Sequence, residues 1–251
     1  MLVDKTVLVT GASSGIGRAC AVAFAEAGAR LVVCARRAER LQELAAELQT
    51  DVHVLPIDVG DREAVAEAVG SLPSDFAEVD ILVNNAGFAR GGLAPLHEGD
   101  PATWEQMLDT NVLGVLTFCR ALVPAMVERG RGHVINIGSI AGRETYPGGA
   151  VYCATKAAVD RITKGLRLDL LGTGVRVSTV DPGMVETEFS IVRYEGDRQR
   201  AADVYRGMTP LAPADVAEAV VWVADRPAHV QVSDVVILAT DQSSATRVAR
   251  A

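Results

Sequence analysis

The sequence predicts an α/β fold, a doubly wound parallel sheet of about seven strands with helices on both faces. Three observations predict it. Short β-branched apolar runs alternate with stretches of helical periodicity from one end of the chain to the other. Most of these runs are apolar at consecutive positions, as strands covered on both faces must be. Finally, 49% of the 251 residues are hydrophobic but only 4% are aromatic, so the core has to be built from Ala, Val, Leu and Ile.

Taken in order, the strands are expected at 7–10, 30–34, 52–57, 81–84, 133–137, 175–180 and 235–238. The first ends in a glycine-rich turn that opens a helix. The second is followed by a helix over 37–48, with Leu41, Leu44 and Leu48 on one face. Ala158, Ile162, Leu166 and Leu170 mark another apolar stripe, and Val216, Val220 and Val223 a third within a last helix at 213–225. Strand–helix alternation of this kind implies right-handed crossovers. The segment 184–213, rich in Pro, Gly and mixed charge, follows a strand's carboxyl end, where open α/β sheets bind ligands. It is expected to be a substrate lid, a plain surface loop being the alternative. With no repeat and no low-complexity linker, residues 1–251 read as one domain.

Composition excludes several functions. A net charge of −8 supplies no basic footprint for nucleic acid. Cys20, Cys34, Cys119 and Cys153 form no CxxC pair and read as small buried residues, neither a disulfide frame nor a metal site. No apolar run approaches the ~20 residues of a membrane span, and Lys5-Thr6-Val7-Leu8-Val9-Thr10 enters a strand with no leader before it. The expected location is the cytoplasm.

The first turn reads Thr10-Gly11-Ala12-Ser13-Ser14-Gly15-Ile16-Gly17. Glycines here allow a tight turn and let backbone N–H groups and a helix N-terminus approach a pyrophosphate. A nicotinamide dinucleotide without a 2′-phosphate calls for an acidic side chain at the end of the second strand. Ala35, Arg36 and Arg37 stand there instead, and a guanidinium fork matches phosphate oxygens. The implied cofactor is NADP(H); the alternative is a solvated Arg pair opening the next helix.

Tyr152 and Lys156 lie four residues apart in a helical stretch, so both side chains leave the same face. A phenol titrates near ~10, and a neighbouring ammonium favours its ionised form. Ser139, thirteen residues before Tyr152 at a strand end, can hydrogen-bond a substrate oxygen and steady alkoxide charge.

With Asn84-Asn85-Ala86-Gly87, Asn111 and Pro182-Gly183 added in register, the chain resembles the short-chain dehydrogenase/reductase family along its whole length. The resemblance implies a Rossmann-type fold and a catalytic tetrad. Tyr152 is the general acid/base, Lys156 lowers its pKa and binds the nicotinamide ribose, Ser139 polarises the carbonyl, and Asn111 holds a proton-relaying water. It implies further that Gly11, Ser13, Ser14, Gly15, Ile16 and Gly17 cradle the pyrophosphate and that Asp58 and Val59 contact adenine. Asn85, Ala86 and Gly87 would line the ribose side, and Pro182, Gly183, Val185 and Thr187 would hold the nicotinamide amide. Ser14 stands where many NADP-specific members carry a basic residue, which leaves Arg36 and Arg37 to read the phosphate.

Thr187-Glu188-Phe189-Ser190 through Asp197, together with Leu72-Pro73 and Pro227-Ala228-His229-Val230, resembles the 3-hydroxy acid (serine) dehydrogenase branch. This implies a small 3-hydroxy or 3-oxo acid as substrate. A substrate carboxylate needs a cation, and Arg143, Arg193 and Arg90 are the candidates, each with a surface role or an internal ion pair as its alternative. A broad ketone or aldehyde reductase and a non-catalytic NADP-binding protein are the competing readings. The resemblance also implies a homotetramer. The polar tail, 239–251, would be a loose end in a monomer and is expected to contact a neighbouring subunit or to be disordered.

Overall fold

In the computed structural model, which describes residues 2–251, seven parallel strands form one sheet in the order β3-β2-β1-β4-β5-β6-β7. They are β1 (Thr6–Thr10), β2 (Arg30–Cys34), β3 (Val52–Leu55), β4 (Ile81–Asn84), β5 (Gly132–Ile137), β6 (Val175–Pro182) and β7 (Asp234–Ile237). Alternation along each strand builds two cores. Val7, Val9, Leu31 and Val33 point to one face, where they meet α1 (Gly15–Glu26), α2 (Ala38–Glu47) and α9 (Pro213–Ala224). Leu8, Val32, Leu82 and Val134 point to the other, under α3 (Arg62–Gly70), α5 (Gly114–Glu128) and α6 (Ala150–Asp169). Phe24 fills the first core and Phe118 the second; both are fully buried. The four cysteines are free and buried, as their scatter suggested.

Helix starts are fixed locally. Asp61 caps α3 by accepting from Ala64 N, and Asp100 caps α4 (Pro101–Leu108) by accepting from Ala102 N and Thr103 N. A π turn, Asp109–Leu113, joins α4 to α5. One sequence expectation is corrected here. Pro101–Glu128 is a single 28-residue helical run with a mean hydropathy of 1.5 over its most apolar window, so one stretch does meet the length and apolarity of a membrane span. The reason lies in the core, because Phe118, Leu122 and Met126 of this run are packed against the sheet.

The order of strands decides where a ligand goes. The chain winds outward from β1 through β2 to β3, then returns to place β4 on the other side of β1. Crossovers therefore leave in opposite directions on either side of the β1/β4 carboxyl ends, and a crevice opens between them.

Candidate active site

That crevice is a cleft of ≈ 950 Å³. Gly11, Ser13, Ser14, Gly15, Ile16, Arg36, Arg37, Asp58, Val59, Asn85, Ala86, Gly87, Ser139, Tyr152, Lys156, Pro182, Gly183, Val185, Thr187 and Arg193 all line it. Gly17 and Asn111 stand just behind its wall. A Cβ at Gly17 would come 2.4 Å from the Gly11 carbonyl oxygen, so only glycine lets α1 start this close to β1. Thr10 Oγ1 accepts from Asn85 N and Ala86 N, both at 3.0 Å, tying the loop after β4 to the end of β1.

The donor set fits NADP at the nucleotide end. No carboxylate follows β2; Arg37 instead donates through Nε and Nη2 to the Ser13 hydroxyl at 3.2 and 2.9 Å and through Nη2 to Ser14 at 2.8 Å. Arg36 is largely exposed and lies 3.6 Å from Asp58. A guanidinium and two hydroxyls thus converge where a 2′-phosphate needs donors, beside glycines that a Cβ would block.

At the reacting end, α6 presents Tyr152 and Lys156. Lys156 Nζ donates to Ile137 O at 2.8 Å, and burial pushes the ammonium down to about 8 against the opposing charge of Asp181. Burial pushes the Tyr152 phenol up, against the pull of the Arg193 charge and of a hydrogen bond with Ser139. A second cation, Arg193, thus stands at the phenol beside the Lys156 of the sequence expectation. Its guanidinium carbon sits 5.3, 4.8 and 5.6 Å from the ring centres of Tyr152, Phe189 and Tyr146, and Nη2 donates to the Tyr146 hydroxyl at 2.9 Å. Asn111, in the π turn, accepts from Phe88 N at 3.0 Å and donates to Phe88 O at 2.9 Å and to Thr155 Oγ1 at 3.1 Å. It clamps the loop after β4 to the helix that carries Tyr152.

Arg143 is a correction. Its guanidinium is committed to the buried Asp181 at 2.6 Å and to Asp234 at 3.3 Å, away from the cleft wall. An uncompensated Asp181 in the interior would be costly, so Arg143 serves the fold. Segment 184–213 does face the cleft, through Thr187, Phe189, Val192 and Tyr205 among others, and it is less irregular than expected: α7 (Glu188–Arg193) and α8 (Arg198–Asp203) lie within it. The tail is ordered on its own chain rather than left loose. Gln242 Oε1 accepts from Met184 N at 2.8 Å, Ala251 N donates to Gly207 O at 2.9 Å, and Thr246 and Val248 line the cleft. Sequence reasoning missed Tyr146, Phe189, Arg40 and Glu188. Two of them left a signal: Arg40, one helical turn beyond Arg36 and Arg37, and Phe189, four residues before Arg193.

The short chain dehydrogenase family pattern matches residues 5–197. The chain belongs to that family. It is 48% identical over 240 residues to an NADP-dependent 3-hydroxy acid dehydrogenase of Salmonella typhi, covering 95% of this chain and 96% of that one. It is 47% identical to sulfoacetaldehyde reductase 2 of Chromohalobacter salexigens, over 94% of this chain and 95% of that one. Among solved structures, the closed form of serine dehydrogenase complexed with NADP+ matches at a TM-score of 0.94 with 45% identity, covering 98% of this chain and 99% of that chain. The enzyme is accordingly an NADP-dependent oxidoreductase acting on hydroxyl groups, and its sheet is the Rossmann-type sheet of the family.

Proposed function

We propose that the enzyme interconverts a small 3-hydroxy acid and its 3-oxo acid, with Tyr152 as the general acid/base. The observation that carries this is Arg193, a cation stacked over the Tyr152 ring and lining the cleft, whose side chain donates to the Tyr146 hydroxyl and to no carboxylate among the described residues. A guanidinium held by three aromatic rings is poised to receive an anion at the reacting centre. Arg90, on Phe88 and Gln106, also lines the cleft but lies against no catalytic side chain.

Bound NADPH supplies the hydride. For reduction, Arg193 holds the substrate's anionic group, Ser139 donates a hydrogen bond to the carbonyl oxygen, and the Tyr152 hydroxyl gives that oxygen its proton. Lys156 then faces a phenolate that its charge stabilises, and Asn111, with a second lone pair on Oδ1 beyond the Phe88 bond, can hold the water that returns a proton. Segment 184–213 acts as the lid that carries Arg193 to the substrate. The same reading makes the enzyme a cytoplasmic homotetramer, for which exposed Leu168, Leu171 and Trp222 offer apolar surface.

The likeness to a sulfoacetaldehyde reductase favours a second anionic group, a sulfonate in place of the carboxylate, at the same guanidinium. The test is kcat/KM with NADPH for malonic semialdehyde, sulfoacetaldehyde and propanal, in the wild type and in Arg193→Leu. The two anions are expected to exceed propanal, and Arg193→Leu to lower their values by about 10- to 100-fold more than propanal's, for a lost charged hydrogen bond. Propanal turning over as fast as either anion would overturn the acid reading in favour of a broad reductase.

A further inference from the structure

Arg37 has two edges, and they serve different parts of the molecule. The Nε/Nη2 edge faces the hydroxyls of Ser13 and Ser14 in the glycine loop. The remaining nitrogen, Nη1, donates at 3.0 Å to Glu188, the first residue of α7 in the 184–213 segment. Arg40, one turn along α2, donates to both oxygens of the same carboxylate at 2.8 and 3.0 Å. Glu188 is thus bridged to two arginines from an element far away in sequence. Thr187, just before it, caps α7 by accepting from Phe189 N, and Phe189 packs on Tyr152 with ring centres 5.3 Å apart. The helix ends at Arg193, above the same phenol. One six-residue helix therefore touches the nucleotide arginines at its start and the reacting tyrosine at its end.

We infer that Glu188 is the specificity-determining latch through which the lid reads the cofactor's 2′-phosphate, closing on Arg37 and Arg40 when that phosphate orders them. The inference rests on the lid reading above and not on the identity of the substrate. The physical case has three parts. A phosphate on the Nε/Nη2 edge immobilises Arg37, so Nη1 meets Glu188 already oriented and less side-chain entropy is lost on closing. Arg40 balances the carboxylate, so Glu188 and the phosphate share Arg37 instead of competing for it. The arrangement that contains the bridge is also the one that matches a closed, NADP+-bound relative. Because coupling is reciprocal, a latch that needs the phosphate must also hold it.

The test uses 2′,5′-ADP and 5′-AMP, which differ only in the 2′-phosphate and carry no nicotinamide. In the wild type, amide hydrogen exchange over 187–196 is expected to slow on adding 2′,5′-ADP and not on adding 5′-AMP. Glu188→Gln should abolish that protection and weaken 2′,5′-ADP by about two- to fivefold, the range of a half-exposed ion pair, with 5′-AMP unchanged. Arg40→Gln, which reaches the lid only through Glu188, should do the same. Equal protection by both nucleotides, no protection by either, or tighter 2′,5′-ADP binding in Glu188→Gln would overturn the latch; the last would mean that carboxylate and phosphate exclude each other. None of these outcomes bears on which carbonyl compound is reduced, so the acid reading stands or falls separately.

Discussion

Tyr152 is pulled in two directions. Burial favours its neutral form, while the guanidinium of Arg193 and the hydroxyl of Ser139 favour the phenolate. A neutral phenol is the form that gives a proton to a carbonyl oxygen, and the two opposing groups stabilise the phenolate left behind. Removing the hydroxyl tests the role directly. Tyr152→Phe is expected to lower kcat by about 10²- to 10⁴-fold, the usual worth of a positioned acid/base, with NADPH affinity measured by fluorescence titration nearly unchanged. Activity within tenfold of wild type would remove the phenol from the chemistry. The tyrosine, its lysine and Ser139 were legible because their spacing and strand–helix context are chemical signatures. The aromatic cradle of Arg193 was only half legible: Phe189 stands four residues before it on α7, whereas Tyr146 meets it only through the course of a distant loop, which no local pattern encodes.

Among the elements, the turn from β1 into α1 is the least tolerant of change. A Cβ on Gly17 would lie 2.4 Å from both the Gly11 carbonyl oxygen, which is backbone, and Asn85 Nδ2, which is held by its hydrogen bond to Thr10 O. Gly17→Ala is expected to cost about 1–3 kcal/mol as overpacking forces α1 away from the sheet, and to weaken NADPH binding as the cradle opens. Gly70, at the end of α3 with nothing within 4 Å of its Cβ position, is the control. There alanine should stabilise by about 0.5–1 kcal/mol through helix propensity. Urea unfolding of the two variants measures both, and equal effects would mean that close approach is not what selects glycine at 17. The glycine loop and the strands were readable because each is fixed by local sequence. The π turn that aims Asn111 was not, because its extra residue per turn leaves no mark in the periodicity of 101–128. The tail's anchorage on its own chain was hidden for a related reason: a polar sequence gives no sign that Gln242 will find the backbone of Met184.

At the scale of the whole molecule, sequence pattern foretold the layers because alternation within each strand sorts side chains between two cores, and that sorting is a property of the fold rather than of any contact. On the sheet face that carries Ile135 into the first core, β5 also buries His133, at 2% exposure. Its Nε2 lies 2.8 Å from Ser178 Oγ, which itself donates to Val232 O at 2.6 Å, so the serine accepts and the ring keeps its proton on Nε2. Nδ1 has no partner, and burial, reinforced by the charge of Arg176, holds the imidazole well below its usual range. The unfolded chain, with His near ~6.5, therefore binds more protons than the folded one below that pH, and stability falls as pH drops. The contribution is intact above about pH 6.5 and declines by up to about 1.4 kcal/mol per pH unit below it. His133→Gln keeps a neutral donor and removes the titration. Urea midpoints taken from pH 7.5 to 5 at fixed protein concentration should fall more steeply for the wild type than for the variant, with the difference confined to the acid side. Parallel curves would mean that the interior accepts a charged imidazole at His133.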